Sequence, residues 1–264
     1  MNTALYKRYC EININGRVLA GPPFTLEFET DFSVKSSNQT KAVIYNPSDE
    51  TIAACEKKKG IYPPIVIDAG YEADYGTCIT GEVIKFEVAK EIDKKLTLTI
   101  ADKTSLWTSS MINKSWKGSI SARDVITQIL NDKGITPAKI DLEVEKVYTR
   151  GISFSGVSLR SAMKKLEHDT KSDFFFKNGQ AYFLKEKSSS SVSVFYLSPE
   201  SGLLSAKKTD KGYTIQTLFM YQIGAGSPVE INGVDVQGLF KAVSGKHKFS
   251  TKGQAGTEFE AVKI

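Results

Sequence analysis

The sequence predicts a β-rich α+β chain in which two regions of short strands flank a small module that carries helices. Three observations point there. Alternating apolar residues with tight-turn signals fill residues 10 to about 102 and return from about 192 to 262. A well-punctuated amphipathic stretch, Gly118–Ile135, interrupts them. Four serines, Ser188–Ser191, mark a junction before the strands resume.

The first region opens as a hairpin: EININ alternates, Asn15-Gly16 is a favoured two-residue turn, and RVLA returns. Phe24, Leu26 and Phe28 alternate with Thr25, Glu27 and Glu29, as in a half-buried strand, and Ala42–Tyr45 forms another. Ser48 is placed to cap a helix that runs through Ile52 and Cys55 and closes at Gly60, with Lys57, Lys58 and Lys59 complementing its C-terminal dipole. Ile65–Ile67 is a short strand. Cys78–Val88 is a long one in which Gly81 reads as a bulge re-aiming the alternation to Ile84, Phe86 and Val88. Lys95–Ala101 pairs back. Strands this short and frequent favour a barrel or a sandwich.

In the middle, Ser121 and Asp124 form a capping box, Val125, Ile126, Ile129 and Leu130 line one helix face, and Gly134 closes it. Leu142–Tyr148 and Ile152–Phe154 read as strands. Ser158 opens a second helix, with Leu159, Ala162, Met163 and Leu166 on one face. Phe174–Lys177 and Ala181–Leu184 form a hairpin around Asn178-Gly179. The last region has strands at Val192–Leu197, Tyr213–Met220, Val229–Ile231, Gly238–Val243, around Phe249, and at Glu258–Val262.

Composition excludes several functions. At 264 residues and 41% hydrophobic, the chain can build one large core or two small ones. No apolar run approaches the ~20 residues of a membrane span. The opening MNTALYKRYCEIN lacks the apolar core of a signal peptide, so the expectation is a cytoplasmic product that leaves, if at all, by assembly or lysis. Cys10, Cys55 and Cys78 are widely spaced, which argues against a zinc site or disulfide framework and for core packing. The net charge of +5 is slight and reads as scattered, against a nucleic-acid binder.

No catalytic constellation appears. The two histidines, His168 and His247, lie in different modules, and no G-x-S-x-G elbow, paired carboxylates or phosphate loop stands out. His168 reads as a solvated residue near a helix end, and Gly224–Ser227 as a turn. The expectation is therefore a non-enzyme with no cofactor and no metal. The candidate partner contacts are Trp107 and Trp116, in a polar stretch that fits no regular element and where they could equally cover a domain edge, and His247, in a turn or strand start where a plain turn residue is the competing reading. Unclosed strand edges are a further route to association.

The order of parts resembles the baseplate hub proteins of contractile phage tails and R-type bacteriocin particles, the late-control protein D-like family. The resemblance rests on Ile44-Tyr45-Asn46-Pro47, Asp68-Ala69-Gly70-Tyr71, Gly81-Glu82-Val83 and KLTLTIAD. It continues through Ser121-Ala122-Arg123-Asp124 to Gly134-Ile135, then Gly202-Leu203-Leu204, Gly212-Tyr213, Thr217-Leu218-Phe219 and GLFKAVSGKHKF. It implies two tail-tube-like β-barrel domains, 1–116 and 188–264, with an inserted α+β module at 117–187. It also implies a homotrimer in a virion or phage-tail-like particle, joining a hexameric tail tube protein to a trimeric central spike protein, with wedge and tape-measure proteins as further neighbours. DNA would be passing cargo only. This chain is shorter than larger hubs and carries no fused spike segment. A particle-associated cell-wall hydrolase and a barrel binding oligosaccharide or nucleic acid are the alternative readings.

Overall fold

The computed structural model describes residues 7–35, 38–90, 92–102 and 110–264. Strands β1 (Arg8–Ile14), β2 (Arg17–Gly21), β3 (Leu26–Ser33) and β4 (Gln39–Tyr45) precede helix α1 (Asp49–Ala54). Strands β5 (Pro64–Tyr71), β6 (Asp74–Lys90) and β7 (Lys94–Ala101) complete the first region. The middle contains β8 (Met111–Trp116), β9 (Ile120–Ser121), α2 (Ala122–Asp132), β10 (Pro137–Asp141), β11 (Val147–Tyr148), β12 (Ile152–Ser158), α3 (Leu159–Thr170), β13 (Asp173–Lys177) and β14 (Gln180–Leu184). The last region has β15 (Phe195–Leu197), β16 (Leu203–Thr209), β17 (Gly212–Thr217), β18 (Pro228–Asn232), β19 (Gln237–Ser250) and β20 (Gly256–Lys263).

Local chemistry sets most of these elements. Asn15 and Asn178 adopt positive φ ahead of Gly16 and Gly179, the pattern of two-residue hairpin turns. Ser48, Ser121 and Ser158 each accept a backbone N–H three residues on, capping α1, α2 and α3. Helix α1 stops at Ala54, before Lys57–Lys59. Those lysines lie in the following loop, where Lys57 Nζ sits 4.1 Å over the Tyr62 ring, rather than on a helix terminus. The register of β6 slips opposite Ile67–Asp68 and again between Val83 and Lys85, not at Gly81. Gly81 instead permits close approach: a Cβ there would lie 2.7 Å from the Ala101 carbonyl oxygen. The expected strand Leu142–Tyr148 shrinks to β11, while β10 and β16 form where no strand was expected.

The larger departure concerns closure. Thirteen strands form one sheet along the path β16-β17-β20-β19-β3-β4-β7-β6-β5-β1-β2, with β18 and β15 branching from β19. That path ends on β2 and β16, so two separate closed barrels are replaced by an open sheet bent over two cores. The first core gathers Ile12, Leu26, Ile44, Ile67 and Leu98 with Phe219 and Phe249 from the far end of the chain. The second gathers Ile215, Val229, Phe240 and Phe259, but also Phe32 from β3 and Phe175 from β13. A third core packs α2 and α3 on β13 and β14 within the middle region.

The reason the sheet continues lies in β19. Its first half pairs with β18 and its second half, Ser244–Ser250, with β3. A register shift between Ala242 and Ser244 inverts the parity of the strand. Upstream of it Phe240 and Ala242 point into the second core. Downstream, His247 and Phe249 point inward, and Phe249 stacks on Phe28 at 5.4 Å. Gly245 sits at the crossing, where a Cβ would meet the Phe32 ring at 2.4 Å and the Glu258 carbonyl oxygen at 2.6 Å. Its φ is not in the left-handed region, so the cost of a side chain there is packing alone. Gly245→Ala is expected to lower unfolding free energy by roughly 1–3 kcal/mol through overpacking, measured by urea titration. A change under about 0.5 kcal/mol, the scale of a neutral surface substitution, would show that the crossing is loose.

Candidate interaction surface

One face of the sheet is polar across eight of its strands, β16 to β6. The cross-strand registers align Ser205, Gln216, Glu258, Lys246 and Asp31 in one row across β16, β17, β20, β19 and β3. An adjoining row runs Lys248, Glu29, Lys41, Thr99 and Lys85 across β19, β3, β4, β7 and β6. Strand alternation puts these side chains opposite the cores. They are knitted together: Ser205 Oγ donates to Gln216 Oε1 at 3.0 Å, and Gln216 Nε2 to Glu258 Oε2 at 2.7 Å. Lys246 Nζ lies 2.6 Å from Glu29 and 3.7 Å from Asp31, and Lys248 Nζ 3.5 Å from Glu29. The Lys246 bond holds the Glu29 carboxyl below the usual range, the Lys248 charge assisting. A shallow groove of about 740 Å³ runs along this face between Glu27, Asp31, Lys41, Thr99 and Lys248.

Both flanks of this polar face end on unpaired backbone. Among the described residues the outer edge of β16 pairs with no further strand. The Val83 N–H still reaches the Pro63 carbonyl at 2.9 Å, and from residue 84 on β6 pairs only with β7, because β5 begins at Pro64. Such edges are templates for a strand of another chain.

His247 lies inside β19, not in a turn, and is 3% exposed. Its Nε2 is 2.9 Å from the Ile223 carbonyl oxygen, which can only accept, so Nε2 carries the proton and Nδ1 accepts from Thr257 Oγ1 at 2.8 Å. Thr257 Oγ1 in turn accepts the Met220 N–H at 3.1 Å. The neutral ring thus pins the segment 218–227, which carries Phe219 into the first core and Ile223 into the second. Lys177, from β13, donates to Ser227 Oγ at 2.8 Å on the same segment, and burial pulls its pKa down to about 8. A hydroxyl, an imidazole and a carbonyl in line resemble a nucleophile with its base. Thr257 is as buried as His247, so no substrate reaches it. A ring so enclosed is not presented to a neighbouring chain, so the expected partner contact at His247 gives way to an internal role.

Trp116 does belong to a regular element, β8, half-buried, with Nε1 donating to Gln128 at 2.8 Å and Lys114 Nζ 5.3 Å from its ring centroid. Trp107 lies outside the described residues. His168 is exposed at the end of α3. Among the described residues no cluster of His, Cys, Asp or Glu has the makings of a metal site, and no helix is long and apolar enough to cross a membrane. Burial raises the thiol pKa values of Cys10 and Cys78 strongly and that of Cys55 to about 11, leaving them poor nucleophiles.

No family model matches the sequence, and no characterised protein sequence matches it. Solved structures do share its fold. The tail protein from Neisseria meningitidis superposes with a TM-score of 0.69 at 10% identity, covering 97% of this chain and 96% of that one. The 43 kDa tail protein of prophage MuSo2 from Shewanella oneidensis gives 0.66 at 9% identity, with 97% of both chains covered. An E. coli component of the type VI secretion system, itself structurally similar to bacteriophage T4 tail proteins, gives 0.62 at 10% identity over 96% of this chain and 76% of that one.

Burial, partly opposed by the Ile223 carbonyl and aided by the Lys177 charge, depresses the His247 pKa from 6.5 to about 4. The unfolded chain therefore binds a proton that the folded chain refuses. This contribution is complete above about pH 6.5 and is lost as pH falls towards 4, worth up to about 3 kcal/mol. His247→Gln should flatten the pH dependence of urea stability across that window relative to the parent. Parallel profiles for the two proteins would show that His247 carries no such linkage.

Proposed function

We propose that the chain is a structural hub of a contractile injection particle: a homotrimeric adapter between a hexameric tail tube and a trimeric central spike, without catalysis. The observation that carries this reading is the polar sheet face spanning eight consecutive strands with an open edge on each flank. Joining β16 of one copy to the free stretch of β6 on the next is a heterologous, head-to-tail contact, and such contacts close into rings when each step turns by a fixed fraction of a circle. Three copies would set six hydrophobic cores, two per chain, around one axis. A sixfold partner could then sit on a threefold one, each chain offering it two docking positions.

The face turned inward in such a ring is hydrated, and many of its charges answer one another: Glu29 with Lys246 and Lys248, Lys85 with Glu87. A wall of that kind offers a polyanion no net field to bind, which suits passage of cargo better than its retention. The tail proteins from Neisseria and Shewanella and the secretion-system component that share the fold support a place in a tail or injection particle. The wedge, tape-measure, tube and spike neighbours expected from the sequence remain part of this proposal, as does residence in a virion or tail-like particle.

The purified chain should sediment at about three times its 29.1 kDa mass at assembly concentrations. Alternate amides of an edge strand point outward, so one of Lys207→Pro and Lys208→Pro in β16 removes an outward donor. That variant should stay folded by circular dichroism and sediment as a monomer. A parent that is monomeric at every concentration, or a trimer indifferent to both prolines, would exclude this ring.

A further inference from the structure

We infer that the facing loops 117–119 and 146–151 of the middle region form a docking site for a carboxylate-rich segment of a partner protein. The charge that looked scattered along the sequence is segregated by region. Residues 111–187 hold 14 of the 35 basic and 9 of the 30 acidic side chains, so the rest of the chain is balanced at 21 and 21, and the whole net charge of +5 belongs to this region.

Pairing brings part of that excess together. Trp116 lies opposite Ile152 and Ile120 opposite Tyr148, so the intervening segments 117–119 and 149–151 face each other. Gly151 is packed against the Trp116 carbonyl so closely that a Cβ would lie 2.0 Å from it. The Ala122 N–H donates to the Lys146 carbonyl at 2.8 Å and ties the third element in. Lys117, Lys146 and Arg150 are all exposed.

The acids around them are committed elsewhere. Arg123 takes Glu145, Lys165 and the Tyr148 hydroxyl take Asp169, Lys114 takes Asp132 at 2.5 Å, and Asp124 binds the Ser121 cap. Lys117, Lys146 and Arg150 form no ion pair among the described residues. Half-buried Trp116 directly precedes Lys117, and Val147, 48% exposed, directly follows Lys146. Three exposed cations brought together by strand pairing, one of them a guanidinium able to grip a carboxylate with two N–H groups, fit an acidic peptide segment. Three free cations are too few for a nucleic-acid backbone, which specific binders grip at roughly 6–10 phosphates.

This inference does not depend on ring assembly, and its test uses the isolated full chain. Binding of a fluorescent decaglutamate is followed by anisotropy at low and physiological salt. Lys117→Ala/Lys146→Ala/Arg150→Ala should weaken it at least tenfold, while the charge-matched Lys57→Ala/Lys58→Ala/Lys59→Ala changes it less than twofold. Lys117→Glu/Arg150→Glu should bind decalysine in place of decaglutamate, a gain that misfolding cannot imitate. Equal losses in the two alanine triples would overturn the assignment. So would tighter binding of the parent to a ten-nucleotide single strand than to decaglutamate, which would make the surface one for nucleic acid.

Discussion

Seven residue pairs between β3 and β19 hold the molecule together. They join residues 27–33 to residues 244–250, more than two hundred positions apart, and so make one sheet out of what would otherwise be two. Everything else follows that seam. The register shift before Ser244 turns Phe249 into the first core while leaving Phe240 in the second. Gly245 lets Phe32 cross. His247, neutral and enclosed, fastens the segment that supplies Phe219 to one core and Ile223 to the other. A conventional two-domain chain would tolerate hinge motion at this point. Here the boundary is hydrogen-bonded sheet on one face and packed aromatics on the other, which opposes such motion.

That rigidity explains the polar face. A row of side chains can stay aligned across eight strands only if the strands belong to one sheet with fixed register. The pairing of β3 with β19 brings Lys246 over Glu29 and Asp31, and sets Lys248 beside Glu29 as well. Individually such exposed ion pairs contribute little to stability. Collectively they leave the face with nearly balanced charge. The excess positive charge belongs instead to the middle region, residues 111–187.

What was legible in the sequence is what local chemistry decides. Asn-Gly turns, serine caps and the apolar stripes of α2 and α3 all appear where their residue types require them. Within Gly118–Ile135 the helix forms as α2, Ala122–Asp132, directly after the short strand β9. What was not legible depends on distant partners. Nothing near Phe28 or Phe249 announces that they stack. His247 reads as a turn residue because Gly245 precedes it, yet that glycine serves a strand crossing. Trp116 reads as irregular because the strand partner of β8 is β12, some forty residues later. The polar face was invisible for the same reason: its rows run perpendicular to the chain, and only register reveals them.

The most direct test of the central claim, that the open edges of this sheet are completed by neighbouring copies, is amide hydrogen exchange on the assembled particle against the isolated chain. The account predicts at least tenfold slower exchange in β16 and in residues 84–90 of β6 on assembly, with β2 unchanged. Protection at β2 alone, with β16 and β6 exchanging as in the free chain, would contradict it.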